Sequence, residues 1–166
     1  MKRAVLLSLI LLLMVACGPT AAPTAPSGPS PRGTDTPTPA SDEEAILQLL
    51  AAEAEGVVNQ DIDRLMEIWS PDGVVTDANH TPDDPSDDLV WEGGEAIKER
   101  YLVIFQSFPT QATHPDVELT INGDTAEATT TTTIGVDMAP KGDEWAFAKI
   151  EGRWYITSLT FNLEKE

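Results

Sequence analysis

A sharp change of composition at residue 41 limits which part of this chain can fold. Residues 18–40 contain seven prolines among Thr, Ala, Ser and Gly, with almost no large apolar side chain. Such a segment cannot bury enough apolar surface to offset the entropy lost on ordering, so we expect it to remain extended and solvated. Pro-rich chain extends by up to about 3.1 Å per residue, which gives a tether of roughly 70 Å. The folded core must therefore come from residues 41–166, a length typical of one domain.

The residues before the tether have the pattern of an export signal. Two basic residues, Lys2 and Arg3, precede an apolar run over residues 4–16. This run is too short to span a bilayer comfortably, since a membrane helix needs roughly 20 apolar residues. The pattern therefore predicts a secretory signal peptide over residues 1–16. An ordinary secretory signal followed by an incidental cysteine is one interpretation of this segment.

The end of the apolar run, Met14-Val15-Ala16-Cys17-Gly18, resembles the lipobox of bacterial lipoproteins. The resemblance implies cleavage before Cys17 and a diacylglyceryl group on its sulfur. Residues 17–40 would then tether the protein to the cell membrane, on the outside of the cytoplasmic membrane. Cys17 is the only cysteine, so residues 41–166 can form no internal disulfide.

The charge of the predicted domain restricts its partners. Residues 41–166 hold all but one of the 28 acidic residues and seven of the ten basic ones, a net charge of −20. A surface this negative repels nucleic acid and anionic lipid headgroups. We therefore expect no nucleic-acid partner, and we expect lipid rather than charge to hold the protein at a membrane.

Hydrophobic periodicity in residues 41–166 predicts helices first and strands afterwards. Ser41 and Glu44 form a capping box at the start of a helix, Asp61 can cap a second helix, and Gly93-Gly94 leads into a third. A turn is predicted at 70–73 and strands at 74–77, 117–121, 125–136, 144–150 and 153–163, with a hairpin at Asn122-Gly123-Asp124. This order is typical of an α+β fold, in which three helices pack on a strongly curved antiparallel sheet. Such a sheet would form a cone with an internal pocket.

Glu53 stands out because it lies on an apolar helix face. Ile46, Leu49, Leu50 and Val57 share that face at about 100° per residue. A carboxylate there must be paired, protonated or directed into a cavity, because an isolated buried charge is too costly. Glu53 is therefore a candidate pocket residue, and a salt-bridged glutamate at the edge of the core is the alternative.

A second polar group follows the strand at 74–77. Asp77 ends that strand, and His80 comes three residues later, so the two could form a pH-sensitive pair. A turn-forming aspartate is the simpler interpretation of Asp77. Two residues do not make a metal site, and the acidic run at 83–88 lacks the spacing of a calcium-binding loop, so no metal is predicted.

Three segments resemble nuclear transport factor 2-like domains, a superfamily that includes ketosteroid isomerase and SnoaL-like proteins. They are Asp61–Asp77, Trp91-Glu92-Gly93-Gly94-Glu95-Ala96-Ile97 and Glu151-Gly152-Arg153-Trp154-Tyr155-Ile156. The resemblance covers nearly all of residues 41–166. It implies the cone fold and a homodimer formed through the outer face of the sheet, and it implies no cofactor.

The same resemblance suggests roles for single residues. Asp77 matches the general-base aspartate of ketosteroid isomerase, and Asp143 lies near its oxyanion-hole aspartate, with one extra residue in the alignment. The oxyanion-hole tyrosine of that enzyme falls at Glu53, which departs from the pattern.

Two hypotheses about function follow. The first is a membrane-tethered domain that binds a small, partly apolar ligand, and it is favoured because the catalytic set is incomplete. The second is a cofactor-free isomerase, dehydratase or hydrolase-like enzyme with Asp77 as base and Glu53 as acid. A dimerisation or assembly module of the cell envelope is a third possibility.

Overall fold

The computed structural model describes residues 38–78, 86–134, 137–138 and 142–163. The predicted signal peptide, Cys17, nearly all of the tether, and His80 lie outside the described residues. No helix among the residues described is long and apolar enough to cross a membrane.

The first helix, α1 (Asp42–Asn59), begins at the predicted cap. The Ser41 hydroxyl accepts a hydrogen bond from the Glu44 backbone N–H at 3.1 Å. In a capping box the Glu44 carboxylate would accept from the N–H of the cap residue, Ser41. Here it accepts from the N–H of Ala40, one residue earlier, at 2.6 Å. Asp42 then ties this end of the helix to the sheet, because it accepts from Lys149 at 2.7 Å and from the Trp154 indole at 2.9 Å.

The other two helices also start at predicted positions. Asp61 caps α2 (Ile62–Ile68) by accepting from the Arg64 N–H at 3.1 Å. The third helix, α3, covers Gly93–Phe105. α1 and α2 pack closely because Gly56 has no side chain: a Cβ there would lie 2.8 Å from the Leu65 Cγ.

Nine strands complete the described part of the chain. They are β1 (Trp69–Asp77), β2 (Leu89–Glu92), β3 (Ala112–Thr113), β4 (Glu118–Asn122), β5 (Thr125–Thr130), β6 (Thr133–Ile134), β7 (Asp137–Met138), β8 (Asp143–Ile150) and β9 (Arg153–Phe161). Six of them form one sheet in the order β2-β1-β9-β8-β5-β4, and β3-β6-β7 form a smaller sheet. The architecture is therefore α+β, as predicted, with three helices on a mostly antiparallel sheet.

The structure corrects three details of the predicted strands. Residues 70–73 do not form a turn between two elements, because they lie within β1. The pairing of β1 with β9 changes register across these residues, between Trp69 and Val74. β1 and β9 are parallel, so the sheet is mixed. The single strand predicted at 125–136 is divided between β5 and β6, in different sheets. The division occurs where the Thr132 N–H donates to the Asp143 carboxylate at 2.9 Å instead of joining the ladder of β5.

The core lies between the helices and the inner face of the large sheet. Its fully buried side chains include Ile46, Val57, Leu65, Val75, Ile97, Tyr101, Phe147 and Ile156. Alternate residues of β8 point inward, so Asp143 lies on the same face as Trp145 and Phe147, and all three are buried. This alternation places a carboxylate on the inner face of the sheet.

Candidate functional site

A cavity of about 680 Å³ opens between α1, α3 and the inner face of the sheet. One part of its wall is apolar or aromatic and includes Trp91, Val103, Ile104, Ile134, Trp145, Leu159 and Phe161. Another part carries the polar side chains Glu53, Arg100, His114, Thr132 and Asp143. The volume is in the range of small-molecule sites, which combine apolar walls with a few placed polar groups.

Glu53 lies at the buried end of this cavity and has two side-chain partners. Its side chain is 2% exposed. Oε1 accepts from the Tyr101 hydroxyl at 2.8 Å, and Oε2 lies 2.7 Å from Nε2 of His114. The Trp69 indole donates to the Tyr101 oxygen at 3.0 Å, which leaves the single phenol proton for Glu53. Burial, followed by the nearby Glu53 carboxylate, raises the pKa of Tyr101 well above its usual value, so the phenol stays neutral and donates.

His114 is the site residue that the sequence did not reveal. It follows β3, its side chain is only 3% exposed, and its ring meets Trp145 edge-on with centroids 5.0 Å apart. Nδ1 lies 2.8 Å from the Thr132 hydroxyl, so one imidazole links Glu53 to Thr132. The two partners of the ring are fixed by tertiary structure, and no motif surrounds His114. The sequence offered one indication of its importance: His114 is one of only two histidines in the chain.

Asp143 carries a buried polar atom that has no partner within the described residues. Oδ2 accepts from the Thr132 N–H at 2.9 Å and from the Thr130 hydroxyl at 3.2 Å. Oδ1 is buried and has no hydrogen-bond partner in that part of the chain. Burial raises the pKa of Asp143, an effect that its hydrogen bonds with Thr132 and Thr130 oppose. Asp143 lines the cavity, and an unsatisfied oxygen of a lining carboxyl group is suited to a hydrogen bond with a bound molecule.

These polar groups form one continuous chain of contacts. It runs from Trp69 through Tyr101, Glu53 and His114 to Thr132, whose backbone N–H reaches Asp143. The Trp145 indole supports the far end by donating to the Thr130 hydroxyl at 3.1 Å. Because each side chain is held by a neighbour, the orientation of the polar wall is fixed before anything binds.

Solved structures with the same architecture identify the fold. An NTF2-like protein with a cystatin-like fold from Novosphingobium aromaticivorans aligns with a TM-score of 0.57 and 19% identity, over 72% of this chain and 80% of its own. A candidate aromatic ring hydroxylase from the same organism gives 0.59 and 20%, over 78% and 94%. A de novo designed protein with a curved β-sheet gives 0.53 and 16%, over 72% and 98%. This is the nuclear transport factor 2-like fold.

The similarity extends to the fold alone. No protein-family model matches the sequence, and no curated protein matches it. The nuclear transport factor 2-like fold itself carries many unrelated functions, so the side chains in the cavity must carry any argument about what this domain does.

The other predicted site residues lie in different places. Asp77 ends β1 outside the cavity lining, and its Oδ1 accepts from the Asn162 side chain at 2.9 Å. Asn162 does line the cavity, so Asp77 contacts a lining residue without lining the cavity itself. His80 lies outside the described residues, and the pairing predicted between it and Asp77 stays a prediction. Among the described residues, no group of three or more His, Cys, Asp or Glu side chains could hold a metal ion.

Proposed function

We propose that this protein is a membrane-tethered, extracytoplasmic lipoprotein whose nuclear transport factor 2-like domain binds a small, partly apolar ligand. The ligand occupies the 680 Å³ cavity. Its apolar part lies against the aromatic and aliphatic wall, and a polar group meets Asp143 and His114. The homodimer suggested by the resemblance is part of this proposal.

The buried and unpartnered Oδ1 of Asp143 carries the proposal. A buried polar atom without a partner costs roughly 1–3 kcal/mol, which a folded domain rarely keeps without a use. A ligand hydroxyl, amine or amide N–H would remove this cost on binding. The nearby apolar wall would contribute about 25 cal/mol for each Å² of apolar surface that it buries.

The sequence supports the membrane part of the proposal. Cys17 follows a short apolar run, and the tether after it could hold the domain roughly 70 Å from the bilayer. The domain has a net charge of −20, so electrostatic attraction to anionic lipid would not hold it at a membrane. The lipid on Cys17 would supply the affinity, and the tether would leave the cavity open to the surroundings.

Titration with N-phenylnaphthylamine, a neutral fluorescent apolar probe, tests the proposed cavity. We expect saturable binding to the purified protein, weakened at least about tenfold by Val103→Trp, which fills the mouth of the cavity. Val103 is 65% exposed, so the larger side chain should not disturb the core. Leu102→Trp is the matched control, because Leu102 is 43% exposed on the same helix but does not line the cavity. Equal weakening by both variants, or no binding to the wild type, would contradict the proposal.

A second candidate function is proton transfer next to a carbonyl group. The 2.7 Å contact between Glu53 and His114 favours it, because a carboxylate that orients an imidazole is a common arrangement for a general base. His114 would take this role, since Asp77 does not line the cavity. Its Nδ1 would accept the proton once the substrate displaces the Thr132 hydroxyl, which now lies 2.8 Å away. Deuterium incorporation into cyclohexenone in heavy water, followed by NMR, should occur with the wild type and not with His114→Gln. Equal rates for the two proteins would refute this candidate.

A further inference from the structure

Arg100 is a cavity residue whose guanidinium forms no ion pair with any other described residue. It lies on α3, is half-buried and lines the cavity. Three aromatic rings surround its guanidinium group: the Cζ atom lies 4.7 Å from the centroid of Phe161, 5.5 Å from Trp91 and 5.6 Å from Tyr101. Such contacts stabilise the positive charge of a guanidinium without supplying an acceptor for its N–H groups.

The donors of Arg100 have no acceptor within the described part of the chain. The ion pairs there are His114–Glu53 and Lys149–Asp42, and neither involves Arg100. No hydrogen bond from its guanidinium occurs to any described residue either. Yet the domain has 27 acidic residues against seven basic ones, so an arginine without a carboxylate partner is unexpected. The aromatic rings, rather than an anion of the protein itself, hold this cation at the cavity.

We infer that the ligand is an amphiphilic anion, whose carboxylate, sulfonate or phosphate group binds Arg100. This inference deepens the proposed function and rests on it. Arg100 offers several N–H donors in a rigid plane, which suits two-point binding of an oxyanion. The apolar body of the ligand lies along Ile104 and Leu159. A hydrogen-bonding group at its other end reaches Asp143, while the acidic wall at Glu53 and Asp143 directs the anionic group towards Arg100.

Two fluorescent probes that share one apolar body test this assignment. Anilinonaphthalene sulfonate is N-phenylnaphthylamine with an added sulfonate group, so comparing the two isolates the contribution of the negative charge. We expect the wild type to bind the sulfonate about tenfold more tightly than the neutral probe, which is the gain from one charge-assisted hydrogen-bonded contact. Arg100→Gln should remove this advantage, so that the ratio between the affinities for the two probes falls to about one.

Arg153→Gln is the matched control variant. Arg153 also lies over an aromatic ring, with Cζ 5.0 Å from the centroid of Tyr155, but it is exposed and does not line the cavity. The Arg153→Gln substitution removes the same charge from the protein as Arg100→Gln does. Any effect of net charge on sulfonate binding will therefore appear in both variants. We expect affinity for the sulfonate to fall with Arg100→Gln and to stay within about twofold of the wild type with Arg153→Gln.

The outcomes separate this inference from the proposed function. If neither probe binds the wild type, the proposed function fails. If the neutral probe binds and the sulfonate binds no more tightly, or if both arginine variants weaken the sulfonate equally, the role of Arg100 fails and the cavity remains. If inorganic phosphate binds as tightly as the sulfonate probe, the apolar body adds no affinity, the site holds a free anion and the amphiphile is overturned. Retained binding of the neutral probe by Arg100→Gln also shows that the variant is folded.

Discussion

Replacing Glu53 tests whether the buried polar chain stabilises the domain. Glu53→Ala removes the acceptor of the Tyr101 hydroxyl and the partner of His114, two contacts of 2.8 and 2.7 Å around a side chain that is 2% exposed. Each such contact contributes roughly 1–2 kcal/mol, and the space left by the side chain adds to the loss. We therefore expect the free energy of unfolding to fall by about 3–4 kcal/mol.

Glu53→Gln should cost much less, because an amide of the same shape can keep both contacts. Its oxygen can accept from Tyr101, and its N–H can donate to Nε2 of His114 if Nδ1 carries the ring proton and donates to Thr132. We expect a loss of about 1 kcal/mol.

Urea unfolding at neutral pH measures both variants, with Glu55→Ala as the control. Glu55 is an exposed glutamate on the same helix, and its replacement should change the free energy of unfolding by less than about 0.5 kcal/mol. A loss with Glu53→Ala as small as that of the control would refute the reasoning. A loss with Glu53→Gln as large as that with Glu53→Ala would show that charge, rather than hydrogen bonding, holds Glu53 in place.

Three further predictions concern the anchor, Asp143 and the packing of α1 on α2. Cys17→Ser should abolish lipid labelling and membrane retention in cell fractionation, and a variant that still partitions into detergent would contradict the anchor. Burial raises the pKa of Asp143, so its contribution to stability is present at acidic pH and is lost as the pH rises through the raised value. Asp143→Asn should therefore gain stability relative to the wild type as the pH rises from about 4 towards neutral in urea titrations. A stability difference that does not change with pH would contradict this prediction. Gly56→Ala should cost roughly 1–3 kcal/mol by the same method, since its Cβ would lie 2.8 Å from Leu65, whereas Gly94→Ala, with 3.8 Å to its nearest atom, should cost nothing.

Features that depend on neighbours in the sequence could be predicted, and the structure confirms them. Ser41 and Asp61 cap their helices because a cap needs only a side-chain oxygen and an N–H three residues away. The α+β fold class followed from the order of the helical and strand patterns. Glu53 was recognisable because a carboxylate on an apolar helix face requires a special environment.

Features that depend on tertiary contacts could not be predicted. The partners of Glu53 lie 48 and 61 residues away in the sequence, and no local pattern connects them. The strand predicted at 125–136 appeared continuous because Thr favours strands throughout it, whereas Asp143 interrupts the ladder at Thr132. The parallel pairing of β1 with β9 depends on how the chain returns across the sheet. The alternation of apolar and polar residues within one strand does not indicate the direction of its neighbour. Homodimer formation and lipid attachment stay predictions.

The indole N–H signals of the tryptophans offer the most direct test that the cavity binds a ligand. The chain has four tryptophans, of which Trp91 and Trp145 line the cavity, while the Trp154 indole donates to Asp42 elsewhere. In two-dimensional NMR with added N-phenylnaphthylamine, we expect the signals of Trp91 and Trp145 to shift in a saturable way. The signal of Trp154 should stay in place. Shifts confined to Trp154, or none at concentrations that saturate the fluorescence, would contradict the assignment of the cavity as the binding site.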